Sequence, residues 1–120
     1  MITILPNSEG NTLIIEASGK LTSEDYEEFF LPKLDALIKE HGRIRVVFYL
    51  GPTFKGWEVG AAWDDAKFGL KHKNDFERIA LVGGPSWMFW LTKLGSYFVK
   101  GEVGIYKESQ LDEAIDWTQR

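Results

Sequence analysis

Two nearly continuous apolar runs, Ile44–Leu50 and Arg78–Val82, constrain this chain more than any other feature. A strand with one solvated face alternates apolar and polar residues. A strand covered on both faces has no need to alternate, and long apolar runs of this kind are typical of parallel sheets. Such strands require a layer on each side, so the segments between them have to supply helices.

Those segments have the right pattern. After Gly19, Thr22 stands at a helix N-cap position with Asp25 three residues on, a pairing that satisfies free backbone N–H groups. Tyr26, Phe29, Phe30, Leu34, Leu37 and Ile38 then recur at helical spacing, with Glu24, Glu27, Glu28, Asp35, Lys39 and Glu40 on the other face. Pro32 lies inside this pattern and predicts a kink, and His41-Gly42 predicts its end. A second helix is expected over 57–71, with Val59, Ala62, Trp63, Ala66 and Leu70 as its stripe. A third is expected over 85–99, opened by Pro85 at its first turn. Ser109 with Asp112 predicts the cap of a last helix that turns Leu111, Ala114 and Ile115 inward.

Strands are expected at Ile2–Leu5 and Thr12–Ala17, joined by the turn formers from Pro6 to Asn11, and at Glu102–Tyr106. Gly51–Gly56 reads as a loop. The order is therefore β-β-α-β-α-β-α-β-α, an α/β fold with a mostly parallel central sheet and an antiparallel N-terminal edge, in one domain over residues 1–120.

Composition narrows the function. The chain has 120 residues, 44% of them hydrophobic, enough for a globular interior. It has no cysteine, which removes disulfides, thiolate chemistry and iron–sulfur clusters and fits a reducing compartment. The start, Met1-Ile2-Thr3-Ile4-Leu5-Pro6, lacks the basic opening and apolar core of a secretory signal, and Trp87–Val99 is too short and polar to span a bilayer. A cytoplasmic protein is expected. With a net charge of −4 and scattered basic residues, no nucleic-acid partner is expected.

Several landmarks together resemble the STAS superfamily, in particular the bacterial SpoIIAA-like family with its Sec14-type relatives. They are Gly19-Lys20-Leu21-Thr22, Phe54-Lys55-Gly56-Trp57, Arg78-Ile79-Ala80-Leu81-Val82-Gly83 with Trp87, and Glu113-Ala114-Ile115-Asp116-Trp117. The resemblance implies a binding or regulatory module and no enzyme. Anti-sigma-factor antagonists of the superfamily bind a kinase and are phosphorylated on a serine after the central strand, typically in an Asp-Ser-Ser/Thr-Gly motif. Here that stretch is Gly51-Pro52-Thr53-Phe54-Lys55-Gly56, without the aspartate or the serine, and Thr53 is its sole hydroxyl. The Sec14-type side implies instead a lipid-like or other apolar ligand and contact with a membrane surface.

Ligands of open α/β sheets bind at the carboxyl ends of parallel strands. Two such ends lead into glycine- and aromatic-rich stretches, Gly51–Trp57 and Gly83–Trp87. Thr53, Lys55 and Ser86 are candidates to hold a head group, and Phe54, Trp57, Trp63 and Trp87 to cover an apolar tail. The competing reading is that the glycines make turns and the tryptophans fill the core. Phe68, Phe89, Trp90 and Lys93 are candidates for a surface that docks on a membrane, a homodimer mate or another protein.

Catalytic readings fail on chemistry. Gly84-Pro85-Ser86-Trp87-Met88 follows a strand as a nucleophile elbow would, but Met88 replaces the closing glycine and no histidine is placed as a base. His41 suits a helix C-terminus, His72 lies between lysines, and Asp64-Asp65 reads as helix surface. Neither a catalytic residue nor a metal or cofactor is expected.

Overall fold

The β-branched and aromatic residues of this chain form a five-stranded sheet in the order β1-β2-β3-β4-β5. The computed structural model describes residues 2–5, 8, 10–58, 74–83 and 102–120, with Trp57 described by its backbone alone. The strands are β1 (Ile2–Ile4), β2 (Thr12–Leu21), β3 (Ile44–Trp57), β4 (Phe76–Gly83) and β5 (Glu102–Tyr106). β1 runs antiparallel to β2, with Ile2 opposite Ala17. β2 to β5 are parallel, as the apolar runs predict, with Val46 opposite both Leu13 and Ile79.

Alternation along each strand divides the core in two. Leu13, Ile15 and Ala17 of β2 join Val46, Phe48 and Leu50 of β3 on one face, where Tyr26, Phe30 and Leu34 cover them. Ile14, Val47, Ala80 and Val82 point to the other face and meet Ala114 and Ile115. The first cover is helix α1 (Leu31–His41) with the turn before it, and the second is α2 (Leu111–Gln119). β3 therefore buries both its faces, which is why its sequence does not alternate.

The entry to α1 follows the expected capping pattern. The Thr22 backbone N–H donates to Asp25 Oδ2 (3.0 Å), and the Asp25 N–H donates to Thr22 Oγ1 (3.2 Å). Pro32 acts differently from the simple kink expected. Its ring would crowd the carbonyl four residues back in an α-turn, and the chain widens into a π-helical turn over Asp25–Phe30, where the Leu31 N–H reaches back five residues to the Tyr26 carbonyl. The wider turn keeps Tyr26 and Phe30 on the core and swings Phe29 out to 44% exposure, correcting its assignment to the buried stripe. Gly42 ends α1 at φ +81°, donating its N–H to the Ile38 carbonyl.

Four further expectations are corrected. β2 continues beyond Ala17 to Leu21, and Gly51–Gly56 is part of β3 rather than a loop, with Trp57 as its last strand residue rather than the first of a helix. Pro52, which cannot donate to a ladder, is tolerated because the pairing is interrupted there by a bulge. Ser109 is not the cap of α2. It lies in a 3₁₀ turn (Glu108–Gln110), and Gln110 Oε1 accepts the Lys107 N–H at 2.8 Å. The helices expected over 57–71 and 85–99 fall almost wholly outside the described residues.

Candidate functional site

The carboxyl edge of the sheet takes its shape from a mismatch between β2 and β3. From Leu50, opposite Ala17, to Trp57, opposite Leu21, β3 takes seven steps where β2 takes four. The three extra residues bulge out around Pro52 and Thr53 and again at Lys55. Such bulges bend a strand and re-aim its side chains. Here Pro52, Thr53 and Lys55 become exposed, and Phe54 is half-buried against the core on the α1 face. Gly56, buried and at φ +110°, lets β3 rejoin the ladder, and the Glu58 N–H donates to the Leu21 carbonyl at 2.8 Å.

The floor of this edge is backbone. Gly83 sits opposite Leu50 at φ +80°, and a Cβ there would stand 2.7 Å from the Leu50 carbonyl oxygen. A Cβ on Gly51 would meet Glu16 Oε1 at 3.3 Å. Both glycines thus allow close approach between neighbouring strand ends.

Of the residues singled out as ligand contacts, the structure brings Thr53, Phe54 and Lys55 together on the bulged end of β3 and ends the strand at Trp57. Trp63, Ser86 and Trp87 lie outside the described residues, as do Phe68, Phe89, Trp90 and Lys93.

Sequence reasoning missed a polar group on the α2 face of the same edge. The Tyr49 hydroxyl lies 3.5 Å from Glu108 Oε1, and Glu16 stands nearby on β2. Burial pushes the Tyr49 phenol above its ordinary range, and the carboxylates of Glu108 and Glu16 add to the effect. In sequence Tyr49 looks like one more residue of an apolar run, and Glu108 is distant along the chain. The one available signal was Glu16, a charge interrupting the apolar residues of β2. Glu108 and Glu16 stand on this side of the edge with the exposed Lys107 beside Glu108, and the exposed Lys55 and Lys20 stand on the paired ends of β2 and β3. Among the described residues, no three His, Cys, Asp or Glu side chains gather to hold a metal, and no helix is long and apolar enough to cross a membrane.

Among the described residues, a mostly parallel sheet with an antiparallel first strand, helices on both faces and a bulged central strand end defines a class of small α/β domains. The SpoIIAA-like family model matches residues 12–119, and the chain belongs to that family. Its fold is similar to the crystal structure of an uncharacterized protein of the DUF3478 family with a SpoIIAA-like fold from Shewanella loihica PV-4. That similarity has 32% sequence identity and a TM-score of 0.76 and covers 98% of this chain and 92% of the other. No curated protein matches the chain. The SpoIIAA-like and STAS proteins are in general not enzymes.

Proposed function

We propose that the protein is a non-enzymatic binding module that takes a lipid-like or small apolar ligand at the carboxyl edge of its sheet. The observation that carries this reading is the bulged end of β3, which leaves Thr53 and Lys55 exposed beside the apolar anchor Phe54. β3 and β4 both leave the sheet at this edge, and the segments that follow them hold Trp63, Phe68, Trp87, Phe89 and Trp90. In this reading Thr53, Lys55 and Ser86 hold the head group, while Trp57, Trp63 and Trp87 cover the apolar part. Phe68, Phe89, Trp90 and Lys93 give the protein a peripheral hold on the inner membrane surface, and the protein is cytoplasmic.

The reading is tested by native mass spectrometry of the purified protein, followed by organic extraction. A bound apolar molecule that is lost in Trp57→Ala and Trp87→Ala supports it. A clean apo mass from protein purified without detergent overturns it. Flotation with anionic vesicles tests the membrane contact separately, and protein left wholly at the bottom of the gradient removes it.

One observation favours a second reading, a protein-interaction module like the anti-sigma-factor antagonists. Thr53 is exposed on the strand end where those proteins carry their regulatory serine. In that case the apo mass is accompanied by a stable homodimer or a captured partner.

A further inference from the structure

The bulged end of β3 does more than expose Thr53 and Lys55, because it also decides which cations stand together. The last pairs of β2 with β3 are Gly19 with Phe54, Lys20 with Gly56 and Leu21 with Trp57. Lys55 is thus the inserted residue of a bulge, where two residues of one strand oppose a single residue of the other. Lys55 and Gly56 together oppose Lys20, and both lysines are exposed. Like charges set across a ladder work against the pairing, so the fold itself gains nothing from this arrangement.

This part of the sheet is a two-stranded ribbon. β1 reaches only to Ile2, opposite Ala17, and β4 only to Gly83, opposite Leu50. Among the described residues, no strand therefore flanks Gly19–Leu21 or Phe54–Trp57. Between the two lysines the ribbon carries no side chain. The position that a Cβ of Gly56 would take has nothing within 4 Å, and the same holds for Gly19 on the other strand. Both glycines have left-handed backbones, at φ +110° and +62°, and a bare main chain of this kind admits a ligand closely. Neither lysine belongs to an ion pair among the described residues. The carboxylate nearest in the ladder is Glu58, exposed and next after Trp57, which leaves two cations against one anion.

We propose that Lys20 and Lys55 clamp a phosphomonoester over Gly56. The inference rests on the carboxyl-edge reading above and narrows its head group. Two ammonium groups about one strand spacing apart suit a group with about two negative charges and three terminal oxygens. A carboxylate or a phosphodiester carries a single charge and would leave one lysine unused. The same chemistry is carried by a lipid with a terminal phosphate and by a soluble phosphorylated metabolite.

The test is amide NMR titration of the full chain with methyl phosphate and, in parallel, with dimethyl phosphate, at constant ionic strength and about pH 8, where the monoester is a dianion. Methyl phosphate is expected to give saturable shifts at Gly19, Lys20 and Phe54–Gly56, and dimethyl phosphate to bind more weakly. Lys20→Gln and Lys55→Gln each weaken methyl phosphate about two- to fivefold, the range of an exposed ion pair. Glu58→Gln tightens it, and Lys39→Gln on α1 leaves it unchanged. The proposal is overturned if no saturable shift appears at these residues, if the two esters bind alike, or if Lys20→Gln binds as wild type does. Dihexanoyl phosphatidic acid separates the two sources: tighter binding than methyl phosphate assigns the clamp to a lipid, and equal binding assigns it to a soluble phosphomonoester. Failure of the apolar-ligand reading is distinguishable, because a clean apo mass with saturable methyl phosphate binding removes the apolar ligand and keeps the clamp.

Discussion

The guanidinium of Arg78 stacks on the ring of Trp117, 5.2 Å from its centroid, and the same side chain donates a hydrogen bond to the Trp117 carbonyl. On the neighbouring strand Arg45, opposite Arg78 in the ladder, donates to the Thr118 carbonyl at 2.9 Å and to Glu77 at 2.9 Å. Two like charges side by side would repel if they faced water alone. Here both are turned on the last carbonyls of α2, where the helix dipole is negative. The arginines thus fasten the cover of the second face to the sheet.

Arg78→Ala is expected to cost about 1–3 kcal/mol, the range for a charged hydrogen bond, with the ring stacking lost in addition. Arg78→Lys should recover only a minor part, since an ammonium lacks the planar fork that bonds the carbonyl while lying over the ring. Urea unfolding measures both. Equal stability of the lysine variant and wild type would mean that charge alone fastens α2. Glu102→Gln should change little, because the Glu102 side chain, 3.6 Å from Arg78, is 68% exposed.

Phe29 and Phe30 are expected to differ sharply although they are neighbours. Phe30 is 3% exposed and makes edge contacts with Tyr26 (5.5 Å between centroids) and Phe48 (5.6 Å), so Phe30→Ala should cost about 3–5 kcal/mol. Phe29, on the outside of the π turn, should tolerate alanine within about 0.5 kcal/mol. Comparable losses in thermal unfolding would mean that the turn is α-helical in solution and that Phe29 packs inward.

The same pair marks where the sequence stops being legible. The parallel sheet, its antiparallel edge and the helix on each face follow from residue patterns, because burial on one face or two leaves a period in the sequence. Phe29 does not follow, since a 3.6-residue period is blind to a widened turn that a proline imposes from two residues downstream. The strand character of Gly51–Gly56 is hidden for a related reason. Gly, Pro and Thr are turn formers, and only pairing with Gly19–Leu21 on a distant segment makes them a bulged strand. Thr53 and Lys55 were readable as candidates because they are the polar residues of the stretch that follows the apolar run Ile44–Leu50. Tyr49 and Glu108 were not, because their proximity arises from the path of the chain between β3 and α2.

Gly83 and Gly42 share a left-handed backbone, at φ +80° and +81°, but differ in their surroundings. At Gly42 a Cβ meets nothing within 4 Å, and Gly42→Ala should cost about 1–3 kcal/mol from the backbone alone. At Gly83 the Cβ would lie 2.7 Å from the Leu50 carbonyl oxygen, which is fixed in the central ladder and has no easy way to yield. Gly83→Ala should therefore cost more, because the clash with the Leu50 carbonyl is added to the backbone strain of about 1–3 kcal/mol. Chemical denaturation of the two variants side by side checks the order, and a reversed order would place the end of β4 farther from β3.

Two carboxylates shape the acid limb of stability. Burial works to raise the Asp25 pKa from its ordinary 3.8, but the hydrogen bond from the Thr22 N–H, the positive charge of the chain's N-terminal amine and the Thr22 hydroxyl together outweigh it, and the net shift is downward. Glu77 falls below its ordinary 4.5 mainly because Arg45 donates to it, against a smaller effect of burial. A carboxyl that binds its proton more weakly when folded favours the folded state when ionised. Its contribution is complete above the unfolded value and is lost as the pH falls through the folded one. Stability is therefore expected to hold from neutral pH to about pH 5 and to decline below it, as these two groups take up protons. Asp25→Asn and Glu77→Gln together should lower stability at pH 7 and flatten the decline between pH 5 and pH 3, so that the two curves converge in acid. Urea midpoints across that range read the slopes, and parallel curves would mean that Asp25 is not held by Thr22 and the N-terminal amine, nor Glu77 by Arg45, in solution.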